Sequence, residues 1–146
     1  MLPSPKLLLL LLCAMMSALT VGCASRAIDE QMAESAQAAF DMALAEVDAG
    51  DHESAVGLFD QALTPGGGLP ADLYTTARIE RAKCLARVGR YEDAHADLDI
   101  ASQGSVNLAV VHACGSFVFR CEGKKAEADK EMATAKKIDR RVKAVR

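Results

Sequence analysis

Ala82-Lys83-Cys84-Leu85-Ala86-Arg87-Val88-Gly89-Arg90-Tyr91-Glu92-Asp93-Ala94-His95-Ala96-Asp97-Leu98-Asp99-Ile100-Ala101 is the stretch that decides the reading of this 146-residue chain. Ala82 stands seven residues before Gly89, and Ala94, Leu98 and Ala101 stand five, nine and twelve after it. The same offsets around Gly50 give Ala43, Ala55, Phe59 and Ala62, and around Gly123 give Ser116, Ala128, Met132 and Ala135. Offsets of five, nine and twelve fall on one stripe of an α-helix, so the residues before each glycine belong to a different helix. Small side chains on that stripe let helix axes approach to about 8–10 Å, and alanine also favours the helix. The chain therefore repeats one helix–turn–helix unit, an arrangement that builds a binding surface rather than an active site.

Working outward, the pattern predicts helices from about Ile28 to Ala49, His52 to Leu63, Pro70 to Val88, Tyr91 to Ser102, Val106 to Cys121, and from Lys124 onward. The glycines are 39 and 34 residues apart, and the five extra residues fall in Thr64-Pro65-Gly66-Gly67-Gly68-Leu69-Pro70. Three glycines between two prolines cannot be helical, and the segment reads as a flexible insert between units. Pro70 suits the first turn of the third helix, and Ser105 suits the cap of the fifth.

These features resemble the tetratricopeptide repeat over about residues 36–139. The turn glycines, the small residues at Ala43/Ala82/Ser116, Ala55/Ala94/Ala128 and Ala62/Ala101/Ala135, and the larger Phe59/Leu98/Met132 fit that family's 34-residue unit. Tyr91 matches the aromatic common just after the turn, whereas His52 and Lys125 do not. The resemblance implies an all-α fold: a short α-solenoid of three helical hairpins, repeats at about 36–69, 75–108 and 109–142, within a domain spanning 28–146. In that family the first helix of each hairpin lines a concave groove. The groove residues it implies here are Phe40, Asp41, Leu44, Val47 and Asp48, then Ile79, Glu80, Lys83 and Arg87, then Val110, Cys114, Phe117 and Arg120. Their mixture of apolar and charged groups suits a peptide or partner helix. Phe40, Leu44 and Glu80 stand where some relatives carry a basic and polar clamp for a C-terminal carboxylate, which disfavours chaperone tails as ligands. Phe40, Leu44 and Phe117 have a competing reading, as residues packed beneath the first or last helix.

Ahead of the repeats, Lys6 precedes an apolar run of fifteen residues from Leu7 to Val21, followed by Gly22-Cys23-Ala24-Ser25. Fifteen is short of the roughly 20 residues of a membrane-spanning helix and fits a signal-peptide core. Leu19-Thr20-Val21-Gly22-Cys23 resembles a bacterial lipobox, which makes residues 1–22 a signal peptide, Cys23 the lipid attachment site and 23–27 a tether. Cleavage after Ala24 by ordinary signal peptidase is the alternative. Acyl chains, at about 0.8 kcal/mol per buried methylene, would hold the protein to a membrane without a spanning helix. Ala24 in place of aspartate resembles the pattern that sorts lipoproteins to the outer membrane, here facing the periplasm.

Without residues 1–22, 124 residues remain, enough for one small domain. Charge is uneven: Cys23 to Ala101 holds 15 acidic and 6 basic residues, Arg120 to Arg146 holds 5 and 10. A front this acidic argues against nucleic acid, which needs a continuous basic face. The basic segment with Lys136, Lys137, Arg140, Arg141, Lys143 and Arg146 reads as the solvated cap of the array, complementing the last helix dipole. A sharper alternative is contact with anionic lipid or cell-wall polymer.

Catalytic chemistry finds no foothold in the sequence, and no cofactor or metal is implied. His52, His95 and His112 lie in different units, Ser105 and Ser116 lack a nucleophile's context, and Gly66-Gly67-Gly68 is not followed by Lys. Asp97 and Asp99 read as solvated surface. Cys84, Cys114 and Cys121 lack zinc-ligand spacing and read as small buried hydrophobes, with a bond from Cys84 to either of the others left open. The function expected is a non-enzymatic, envelope-anchored scaffold or assembly factor with a protein partner. The alternatives are a self-associating structural lipoprotein, forming a homo-oligomer, and a soluble exported accessory subunit of an enzyme complex.

Overall fold

The computed structural model describes the backbone of residues 5–105 and 107–145 and the side chains of residues 26–105 and 107–145. The signal peptide expected at 1–22 and the Cys23 thiol thus lie outside the residues whose side chains are described. Among the described residues the fold is all-α, with helices α1 (Pro5–Ala49), α2 (His52–Ala62), α3 (Ala71–Arg87), α4 (Tyr91–Gly104), α5 (Leu108–Cys121) and α6 (Lys125–Ile138). Consecutive helices pack in pairs, α1 on α2, α3 on α4 and α5 on α6; α3 also packs on α2 and α5, and α4 on α5. Among the described residues no helix is long and apolar enough to cross a membrane.

One turn closes every pair. Gly50, Gly89 and Gly123 have φ of +83°, +84° and +83°. The amide of the following residue reaches back to the carbonyl five residues earlier: Asp51 to Glu46 at 3.0 Å, Arg90 to Leu85 at 2.8 Å and Lys124 to Phe119 at 2.8 Å. This is the left-handed helix stop, in which glycine avoids the Cβ penalty. The same following residue opens the next helix, its carbonyl accepting from Ala55, Ala94 and Ala128 respectively. Only Asp51 adds a side-chain cap, its carboxylate accepting from the Ser54 amide at 3.0 Å. The small residues at the repeated offsets are all buried, as are Phe59 and Leu98; Met132 is half-buried.

Contacts repeat in step with the turns. His112 on α5 lies 2.7 Å from Glu131 on α6, eleven residues before and eight after Gly123. Arg78 on α3 donates to Asp97 on α4 at 2.6 Å, at the same offsets from Gly89. Between units, His52 lies 3.1 Å from Arg87, and Tyr91 donates to the Cys121 carbonyl at 3.0 Å. Each of these joins the second residue after one turn glycine to the second before the next.

Four expectations are corrected. Helix α1 extends ahead of the expected start at Ile28, through residues 23–27, because no glycine or proline interrupts the chain between Cys23 and Ala49. Pro70 is the cap of α3 rather than a residue of its first turn. Asn107, not Ser105, caps α5: its side chain accepts from the Val110 amide at 3.4 Å, while Ser105 ends α4 and accepts from the Asn107 amide at 3.0 Å. The Gly-Pro segment is docked rather than free. Gly67 is buried, and a Cβ on Gly68, whose φ is +77°, would stand 3.0 Å from the Ala33 Cβ of α1.

Candidate functional site

The thirteen groove residues divide by burial. Phe40 is buried against Phe59 with ring centroids 6.1 Å apart, and Cys114 is fully buried with its thiol directed to the Ile79 carbonyl at 3.7 Å. Both belong to the core, because the helix pairs close over them; neither offers a binding surface. Leu44 and Val47 are half-buried against the same core, and Asp41 and Asp48 are exposed. Asp41 accepts from Gln37 of its own helix at 3.2 Å.

The face shared by α3 and α5 holds the rest. At one end, Ile79 and Val110 line a cleft of about 400 Å³ together with Asp72, Thr75, Thr76 and Asn107. Val110 is 37% exposed, so an apolar side chain stands open in a cleft rimmed by hydroxyls, an amide and a carboxylate. Hydroxyls bonded to their own helix line it quietly: Thr75 donates to the Ala71 carbonyl and Thr76 to the Asp72 carbonyl. Midway, Lys83 pairs with Glu80. At the other end, the Phe117 ring is buried at the edge of the core, with the Arg87 guanidinium 5.3 Å and the Arg120 guanidinium 5.8 Å from its centre. Two cations over one aromatic ring favour it electrostatically, by roughly 0.5–1 kcal/mol each at exposed sites.

A second constellation was not legible as such in the sequence. Asp97, read there as solvated, is 1% exposed. It accepts from Arg78 at 2.6 Å and from two nitrogens of Arg81 at 2.6 and 2.7 Å. Arg81 also pairs with Asp60 of α2, and Arg78 donates to the Tyr74 hydroxyl at 2.6 Å. Burial opposes the Arg81 charge, but the bonds from Asp97 and the charges of Asp97 and Asp60 outweigh it and raise its pKa. The ion pairs of this cluster tie α2, α3 and α4 together, and the Arg78–Tyr74 bond lies within α3. The available signal was position: Asp97 lies between Ala94 and Leu98 on the buried stripe, opposite arginines three residues apart.

The two fully buried thiols are poor nucleophiles. Cys84, Cys114 and Cys121 are free, and burial pushes the Cys84 thiol up to about 11 and the Cys114 thiol up to about 12. A thiol held protonated is inert. The histidines each reach a neighbouring helix. His95 stacks on Phe119 with centroids 4.5 Å apart and lies 3.3 Å from Glu122, and burial followed by the Arg87 charge lowers the pKa of His52. Among the described residues no group of three His, Cys, Asp or Glu is placed to hold a metal. Comparison with family models, with curated proteins and with solved structures gives no match.

Proposed function

We propose that this chain is a protein-binding scaffold or assembly factor of the cell envelope, without catalytic activity, built as a short solenoid of three tetratricopeptide-like hairpins and anchored by lipid at Cys23. The observation that carries the binding role is the open α3–α5 face, where Val110 and Ile79 stand in a cleft with polar rims. Apolar anchors within a polar frame are what a peptide or partner helix needs for affinity and orientation. The solenoid reading rests on three turns with one geometry and on contacts that recur at fixed offsets from them. The anchor and the outer-membrane address rest on Leu19-Thr20-Val21-Gly22-Cys23-Ala24.

Charge asymmetry favours a second reading, self-association. Residues 26–63 carry nine acidic residues and one arginine, whereas residues 120–146 carry ten basic and five acidic. Affinity capture of the full-length protein from its native membranes, beside a Val110→Glu variant with an unchanged melting curve, separates the two. A discrete partner held by the wild type and lost from the variant supports the scaffold. Recovery of copies of the chain alone, dissociating at high salt, supports self-association.

A further inference from the structure

Beyond α6 the chain does not simply run into solvent. Asp139 ends the helix and its carboxylate accepts from the Arg141 amide at 2.9 Å, while the Val142 amide bonds the Asp139 carbonyl at 3.1 Å. From there residues 142–145 form no regular element. Burial along the segment has a period of three: Asp139, Val142 and Val145 are half-buried, and Arg140, Arg141, Lys143 and Ala144 are exposed. Val145 packs on the hydrophobic core, and its carbonyl accepts from the Arg120 guanidinium. Because α6 runs back along α5 from the tight turn at Gly123, the segment must return the length of α5 to reach Arg120. It thus arrives at Arg120, whose guanidinium lies 5.8 Å from the centre of the Phe117 ring.

We propose that residues 139–145 occupy, in cis, a peptide site on the α3–α5 face formed around Phe117 and Arg120. The ligand class of that site is an extended segment with two small apolar side chains three residues apart. Val142 and Val145 are the copy of that pattern carried by the chain itself. Recognition through a backbone carbonyl requires no particular side chain, so any segment with the same apolar spacing can take the place of residues 139–145. A partner binding here must displace them, and their tethering makes them a strong competitor, since a short link gives an effective concentration of the order of millimolar. The proposal rests on the reading of the α3–α5 face as a binding surface, and it assigns that surface both a ligand pattern and an internal regulator.

The test uses the full chain, isotopically labelled, and a Val142→Ser/Val145→Ser variant that removes both half-buried apolar side chains without touching the packed helices. The probe is a synthetic peptide copying residues 139–146. Backbone relaxation in the wild type should show residues 142–145 as ordered as α5, and in the variant as mobile. Added peptide should shift the Phe117 and Arg120 amides saturably in the variant, and about ten-fold more weakly in the wild type. Mobile residues 142–145 in the wild type, equal peptide binding by both chains, or no binding by the variant would overturn the proposal. These readings involve the chain and its own peptide alone, so they stand or fall separately from the capture of an outside partner.

Discussion

The three glycine turns and the residue pairs that stand eleven before and eight after them make an instructive contrast. The turns are copies: one φ, one reach-back bond and one opening bond, at Gly50, Gly89 and Gly123 alike. The paired position keeps its place but changes its chemistry, from Ala39 and Leu58, both at the core, to the bonded pairs Arg78 and Asp97, then His112 and Glu131. A left-handed helix stop is a local property of the backbone and admits few residues, so it repeats. A contact between two helices requires only that its two members suit each other, so it is free to drift as a pair. The third unit shows the fit: Gly115, which stands where the second unit has Arg81, leaves room for the Glu131 carboxylate, 3.4 Å from where a Cβ would lie.

The largest effect expected is at the ionic version of that contact. Asp97→Ala removes the buried carboxylate shared by Arg78 and Arg81, leaving Arg81 only the exposed Asp60, and should cost about 3–5 kcal/mol in urea unfolding. Rewriting the cluster with the first unit's residues, as Arg78→Ala/Arg81→Met/Asp97→Leu, should return stability to within about 1 kcal/mol of wild type, because matched apolar groups replace a buried ionic cluster at little net cost. If the triple variant is as unstable as Asp97→Ala, the contact positions are not interchangeable between units.

Packing comes next. Ala94 is fully buried where α4 meets its neighbours, and Ala94→Leu should overpack it by about 1–3 kcal/mol, read as a lowered melting temperature. At the turns, a Cβ on Gly50, Gly89 or Gly123 would meet nothing within 4 Å, so only backbone strain remains. Each glycine-to-alanine change should therefore cost a similar amount, about 1–2 kcal/mol. Gly68→Ala should cost more than any of these, since it adds a close approach to Ala33 on top of the strain.

Acid distinguishes the first turn from its copies. The backbone and side-chain bonds from Ser54 lower the Asp51 pKa from its ordinary 3.8. A carboxylate whose folded pKa is depressed adds stability that is complete above the ordinary value and is lost as pH falls through the folded one. The stability gap between wild type and Asp51→Ala should therefore be open at neutral pH and close in acid. Arg90 and Lys124 hold the same place without a side-chain cap; their pairs with Asp93 and Glu122 also weaken in acid, but neither has a bond to a helix amide to lose. Smallest of all is Asp99→Ala, expected within about 0.5 kcal/mol of wild type, since Asp99 is exposed two residues from the buried Asp97.

That last pair shows where the sequence stops being legible. The all-α class, the turn glycines and the buried alanines could be read directly, because spacing and φ preference are local. Asp97 and Asp99 look alike in sequence; what buries one of them is the pair of arginines that α3 brings opposite it. The Gly-Pro segment looked free because its composition forbids a helix, yet Ala33 and Ala36 are small enough for Gly68 and Gly67 to settle against α1. Phe40 and Cys114 lie on the helices expected to line a groove, but their stripe faces inward, a distinction of a fraction of a turn. The cleft at Ile79 and Val110 was half legible: both residues were singled out, while Thr75, Thr76 and Asn107 carry no signal of their own.

Val110 on α5 and Ile100 on α4 are two apolar side chains of nearly equal exposure, 37% and 41%, on different helices. Placing a photo-crosslinking residue at each in turn, in the full-length protein in its native membranes, tests the central claim most directly. The account predicts a discrete adduct from position 110 and none from position 100. An adduct from position 100 alone, or identical products from both, would contradict the assignment of the α3–α5 face as the binding surface.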